Sequence, residues 1–301
     1  MIDLSVNLAG VVLKNPITTA SGTFSAAESG AFYDLAELGA MITKGVANIP
    51  WDGNNTPRIA ETYGGMLNSV GLQNPGIDYF IAHELPYLKQ FDTKVIVNVA
   101  GRSIEDYCEV AEKLSETCVD MLEINISCPN VKQGGIGFGT QSEMAAKVTQ
   151  EVRKVSKKPI IIKLTPNVTN IAEIAKAVEA EGADAVSLIN TLLGMKIDVH
   201  KGKTVLFNKM GGLSGPAIKP VAIRMVYQVR RAINIPIIGL GGIMTGEDVA
   251  EFIMAGADAV SVGTAAFANP TAPVDIKNEL VQYMERHNFR NIQDIRDAFT
   301  D

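Results

Sequence analysis

The chain has 301 residues, 47% hydrophobic and 20% charged, which supplies one large apolar core and excludes a disordered or fibrous class. Its 27 basic and 33 acidic side chains leave a formal net charge of −6 with no basic cluster, which argues against nucleic acid or an anionic membrane as a partner. Three cysteines, Cys108, Cys118 and Cys128, with no Cys-x-x-Cys pair, signal neither a zinc site nor an iron–sulfur cluster and fit a reducing, cytoplasmic setting.

At the start, Met1-Ile2-Asp3-Leu4 lacks the basic and continuous apolar regions of a signal peptide. No apolar run approaches the ~18 residues of a membrane span, so a soluble protein is expected. Leu4–Val6 and Val11–Leu13 flank Asn7–Gly10 and predict an opening hairpin. A repeating unit of β-rich run, loop and amphipathic segment follows. The predicted strands are Ile17–Ala20, Met41–Lys44, Lys94–Val99, Met121–Asn125, Pro159–Leu164, Ala185–Ile189, Pro236–Gly239 and Ala259–Val262. Helices are predicted over Ser103–Glu116, Glu143–Val155, Ile171–Ala180, Ala217–Ala232 and Gly246–Ala255. Ser103 with Asp106 makes an N-cap, and Gly182 and Gly256 close their helices. Strands apolar throughout, alternating with helices, predict a parallel sheet covered on both faces. Eight such units predict an α/β fold, a TIM (β/α)8 barrel with an N-terminal hairpin, as one domain over residues 1–301.

Three segments exceed a minimal barrel: Pro50–Pro86, expected to carry short strands of its own, the loop-like Pro129–Gly139, and Leu192–Gly215. All three follow strand C-termini, the face on which barrel enzymes build their sites, and loops this long are usually functional. At the strand tips stand Ser21, Lys44, Asn98, Asn125, Lys163 and Asn190. Two lysines and three asparagines at one end of an apolar barrel are costly unless they bind something. After strand seven comes Gly241-Gly242 and after strand eight Gly263-Thr264. Glycines there admit backbone N–H groups close to a phosphate, at the usual barrel phosphate site.

Asn125-Ile126-Ser127-Cys128-Pro129-Asn130 ends the fourth strand in an amide, a hydroxyl and a thiol, and Pro129 keeps Cys128 out of helical geometry. A free cysteine is usually a small buried hydrophobe. The polar tips around this one point instead to chemistry.

With Ile42-Thr43-Lys44-Gly45, residues 68–76 (NSVGLQNPG), Ile162-Lys163-Leu164-Thr165-Pro166-Asn167 and Gly211-Gly212-Leu213-Ser214-Gly215, this motif resembles the class 1 dihydroorotate dehydrogenases. The likeness runs over essentially the whole chain from Leu4. Class 1 carries cysteine in the fourth-strand loop, where class 2 carries serine. Gly71-Leu72-Gln73-Asn74-Pro75-Gly76 and Asn190-Thr191-Leu192-Leu193-Gly194-Met195 resemble the B type. That type works with a second subunit carrying FAD and a 2Fe-2S cluster, which passes electrons to NAD+. A homodimer core within a heterotetramer is the assembly the resemblance implies.

The resemblance implies oxidation of (S)-dihydroorotate to orotate in pyrimidine (UMP) biosynthesis, the C5 proton going to a base and the C6 hydride to FMN. It assigns Cys128 as that base, under a lid formed by Val131–Gly139. It assigns the substrate to Lys44, Asn68, Ser69, Val70, Gly71, Leu72, Asn125, Asn190 and Thr191. For FMN it implies Ser21, Lys44, Gly45, Asn98, Asn125, Lys163, Ile189, Gly215, Gly241, Gly242, Gly263 and Thr264. Lys163 lies in an apolar strand, so its charge needs a partner, and reduced flavin, anionic near N1, is expected to supply it. No metal site is expected. His83, His200 and His287 are isolated, and Cys108 and Cys118 are read as packing. Trp51 is a loop or partner contact or a core aromatic, and Ile197–Phe207 with Lys196, Lys201 and Lys203 offers a contact to the second subunit. The alternatives are an A-type, fumarate-reducing homodimer, a dihydropyrimidine dehydrogenase subunit or a flavin-free phosphate-binding barrel.

Overall fold

Eight parallel strands close on themselves in a computed structural model that describes residues 2–127 and 135–300. They are β1 (Ile17–Thr19), β2 (Ala40–Ile42), β3 (Lys94–Val99), β4 (Met121–Asn125), β5 (Ile160–Lys163), β6 (Ala185–Leu188), β7 (Ile237–Leu240) and β8 (Ala259–Val262). Each pairs with the next, and β8 pairs with β1, so the ring has no free edge. Around it stand α1 (Ile104–Ser115), α2 (Ser142–Val155), α3 (Ile171–Ala180), α4 (Lys219–Arg230), α5 (Gly246–Met254) and α6 (Ala272–His287). Among the described residues no helix is long and apolar enough to cross a membrane.

Helix starts follow local chemistry. Ser103 and Asp106 form a reciprocal capping box on α1, Thr245 and Asp248 form another on α5, and the Asn170 side chain caps α3. The expected helix from Ala217 starts later, because Pro216–Ile218 turns as a 3-10 helix and α4 begins at Lys219. The opening hairpin pairs Val6–Leu8 with Val11–Leu13 about the left-handed Ala9 and Gly10, so its first strand lies two residues beyond the expected one.

The two faces of the barrel strands differ more than uniformly apolar runs would suggest. Outward residues such as Val95, Val97, Leu122, Ile124, Ile160, Ile162 and Val186 pack under the helices. Inward residues at alternate positions form two layers, as the period of a strand requires. The lower layer is apolar, with Ala40, Ile96, Met121, Ile161, Ala185, Ile238 and Ala259 packed on Leu8 and Leu13 of the hairpin. Both leucines are fully buried, and each contributes about 2 kcal/mol of transfer free energy to stoppering that end. The next layer is polar: Thr18, Asn98, Glu123, Lys163, Ser187 and Ser261 are each at most 4% exposed.

The insertions after β2 and β6 combine into one element. Ile59–Thr62, Gly65–Asn68, Met210–Ser214 and Leu192–Met195 pair antiparallel as a four-stranded sheet. Gly211 and Gly212 permit this pairing, since an added Cβ would fall 2.5 Å from Asn68 O or 1.9 Å from Thr191 Oγ1. Part of the segment Pro129–Gly139, expected as loop, falls in a helix over Gly135–Thr140.

Candidate active site at the mouth of the barrel

A cleft opens where the strand C-termini meet the four-stranded sheet. Of the residues singled out from sequence, Ser21, Lys44, Gly45, Asn68, Val70, Gly71, Leu72, Asn125, Lys163, Ile189, Asn190, Thr191, Gly215, Gly241, Gly242, Gly263 and Thr264 line it. Ile59, Met66, Ile218, Leu240, Ile243, Met244 and Phe267 add apolar wall that the motifs did not single out. Cys128 and residues 131–134 of the expected lid lie outside the described residues.

Two of the singled-out residues sit below the lining. Ser69 is fully buried, its hydroxyl without a hydrogen-bond partner among the described residues. Asn98 is also fully buried, and its amide is engaged on both sides. It donates to Glu123 Oε2, and its own Oδ1 accepts from Asn125 Nδ2 at 3.3 Å.

Glu123 is the residue that sequence reasoning missed. Its carboxylate is completely buried, with Ser187 Oγ donating to Oε1 at 2.7 Å and Lys163 Nζ lying 3.3 Å from Oε2. Lys163 also donates to Ser21 Oγ at 3.2 Å. The partner that the Lys163 charge requires is thus present within the chain, as a carboxylate on the adjacent strand β4. The available signal was a glutamate at an inward position of a strand whose residues before the tip Asn125 are otherwise Met, Leu and Ile.

The network continues up to the cleft. Ser127 Oγ donates to Asn125 Oδ1 at 3.0 Å and accepts from Asn190 Nδ2 at 2.7 Å. Tyr107 of α1 donates to the Asn125 carbonyl at 2.8 Å, which ties the tip of β4 to the helix layer. Asn167 reaches across from the tip of β5 to the Thr191 carbonyl at 3.0 Å. Lys44 is exposed at the mouth, near Glu84. Burial pushes the Glu84 carboxyl above its ordinary range, and the Lys44 charge opposes that rise.

Gly215, Gly241 and Gly242 hold φ values of +106°, +124° and +83°, conformations that L side chains rarely adopt. A Cβ on Gly242 would also come within 2.8 Å of Lys219 Cβ. Among the described residues, nothing accepts from the backbone N–H groups of Gly241, Gly242, Gly263 or Thr264. Free N–H groups on two adjacent strand tips make a cradle for an anionic oxygen cluster such as a phosphate. Thr264 Oγ1 donates to Ser214 Oγ at 2.8 Å and ties this corner to the inserted sheet.

The remaining expectations fall as follows. Lys196 donates to the Glu61 carbonyl at 2.6 Å within the inserted region. Trp51 is buried against Ala47, Ala100 and Leu72, under the Arg102 guanidinium. Cys108 is half-buried, whereas Cys118 is exposed and not a packing residue.

A family model described as dihydroorotate dehydrogenase matches residues 3–284. A relative in Alkaliphilus metalliredigens, "Dihydroorotate dehydrogenase B (NAD(+)), catalytic subunit", is 62% identical over 98% of this chain and 98% of its own. A protein of the same description in Oceanobacillus iheyensis is 56% identical over 98% of this chain and 97% of its own. Among solved structures, a dihydroorotate dehydrogenase of Eimeria tenella in complex with ferulenol superposes with a TM-score of 0.81 at 21% identity, covering 99% of this chain and 89% of that one. At that identity the likeness speaks for the barrel fold.

Proposed function

The chain belongs to the dihydroorotate dehydrogenase family, and on that premise we propose that its cleft oxidises (S)-dihydroorotate to orotate, a step of pyrimidine biosynthesis, as the catalytic subunit of the NAD-linked type. The single observation that carries this reading is the Lys163–Glu123–Asn98–Asn125 network beneath a cleft rimmed by the two glycine tips. FMN bound there would accept the hydride that leaves C6.

The residues fit that group. Free N–H groups at Gly241, Gly242, Gly263 and Thr264 suit its phosphate, and Lys163 offers a cation at the floor of the cleft. The apolar wall of Ile189, Leu240 and Met66 suits a ring system. Asn68, Asn125 and Asn190 can both donate and accept, as an imide edge requires, and Lys44 can meet a carboxylate. Cys128 follows Ser127, whose hydroxyl lies between Asn125 and Asn190, and we assign its thiolate to accept the C5 proton. Loss of that proton and of the C6 hydride leaves the C5–C6 double bond of orotate.

Electrons then pass to NAD+ through a partner subunit, for which we infer FAD and a 2Fe-2S cluster around a homodimer core of this chain. We place the protein in the cytoplasm, as one barrel domain over residues 1–301.

The test is purification of the native complex with its visible spectrum and an assay with dihydroorotate. A flavin band near 450 nm, bleached by dihydroorotate and restored by NAD+ only in the presence of the second subunit, is the expected outcome. A colourless protein that takes up no FMN would overturn the reading, and restoration by fumarate alone would favour the A type.

A further inference from the structure

We propose that Glu123 is a positioning residue for this reaction: from beneath the cleft it sets the charge felt by a bound flavin through Lys163 and fixes the orientation of the substrate-facing amides through Asn98. The proposal rests on the reading that FMN occupies the cleft above Lys163.

Two arms leave this one carboxylate. An ionised carboxylate only accepts hydrogen bonds. Asn98 must therefore turn its NH2 toward Glu123 Oε2, which leaves Asn98 Oδ1 facing Asn125. Asn125 must then donate to Asn98 and keep Oδ1 for the Ser127 hydroxyl. With its proton committed to Asn125, the Ser127 oxygen can only accept from Asn190 Nδ2. One acceptor thus sets which way Asn98 and, through it, Asn125 point; the chain ends on Asn190, whose Oδ1 also accepts from the Thr191 N–H at 2.7 Å, and both Asn125 and Asn190 line the cleft.

The other arm is electrostatic. Glu123 Oε2 lies 3.3 Å from Lys163 Nζ, and their side chains are 0% and 5% exposed, so water screens the pair little. Adding electrons to a flavin above Lys163 is favoured by the ammonium and opposed by the carboxylate behind it. A structural role alone is a poor account, because a well-packed apolar pair would fill the same space without the cost of desolvating two charges.

The experiment uses FMN-loaded wild type, Glu123→Gln and Glu123→Asp, with flavin midpoint potential and FMN affinity as readouts. The Gln variant removes the negative charge at nearly constant shape and should shift the reduction equilibrium at least tenfold toward reduced flavin, about +30 mV for a two-electron couple. The Asp variant keeps the charge and should stay within threefold of wild type. A Gln variant that binds FMN with a wild-type potential overturns the proposal, as does an Asp variant that shifts as far as Gln. If neither variant folds while wild type does, Glu123 is scaffold only and the proposal fails. Wild type that takes up no FMN sinks the underlying reading instead, so the two failures are distinct.

Discussion

Lys219 Nζ lies 2.6 Å from Asp248 Oδ1, joining the first turn of α4 to the capping box of α5 across the Gly241–Gly242 tip. Asp248 also accepts from the backbone N–H groups of Met244 and Thr245, so one carboxylate holds the loop between β7 and α5 at two points and ties it to α4 through Lys219.

This arrangement has a pH signature. Burial raises the Asp248 carboxyl, but the Lys219 hydrogen bond and charge and the two backbone donors outweigh it and leave the group below its ordinary value. A lowered folded value means that its stabilisation is complete above ~3.9 and is lost as pH falls through the folded value. Burial lowers Lys219, but hydrogen bonds to Asp248 and Glu251 prevail and raise it, so its share is complete below ~10.4 and fades as pH rises through the folded value. Asp248→Ala should cost about 1–2 kcal/mol at pH 7, since it removes a cap together with a partly screened ion pair. In urea titrations at several pH values, the gap from wild type should narrow as pH falls below the ordinary carboxylate range and through the lowered folded value.

Cys128→Ser should retain FMN while dehydrogenation at neutral pH falls by roughly 10²–10⁴-fold, because a hydroxyl is a far poorer base than a thiolate. Stopped-flow bleaching of the flavin by dihydroorotate measures this directly. Unchanged bleaching would remove the thiol from the reaction.

Lys163→Ala leaves Glu123 buried without its ammonium, a change of the kind that costs about 3–5 kcal/mol. It should lower both the melting temperature and the affinity for FMN. A second change, Glu123→Gln, made in that background should recover much of the lost stability, since the stranded charge goes with it. Calorimetry of the two variants against wild type decides the point.

Gly242→Ala forces a side chain into φ +83° and against Lys219 Cβ, a strain of about 1–2 kcal/mol. The cost should fall on the phosphate cradle more than on the barrel. FMN titration should therefore show affinity weakened at least tenfold, with the apo-protein's melting temperature moved little.

Periodicity made the barrel readable because its strands are short and largely apolar, and β3, β5 and β7 lead into helices with side-chain caps at Ser103, Asn170 and Thr245. It misjudged the hairpin by two residues, since Leu4 and Leu8 offer equal apolar character and only packing on Ile96 and Met121 selects Leu8. The mouth was legible through its motifs, whose glycines are demanded by positive φ or by close strand pairing. Glu123 was not, because a single acidic residue within an apolar run looks like noise until its three donors are seen to converge. Sequence places Asn98 at a strand tip, but cannot say that its amide also bonds to Glu123 and Asn125 below the cleft lining. That two distant insertions build one sheet is a long-range pairing with no local signature.

The hairpin leucines give the barrel a blind end. Anything that reacts inside must enter and leave by the same doorway, so a molecule of orotate still seated there bars the next dihydroorotate. Turnover is thereby coupled to departure, and accumulating product should slow the enzyme in direct competition with its own feedstock.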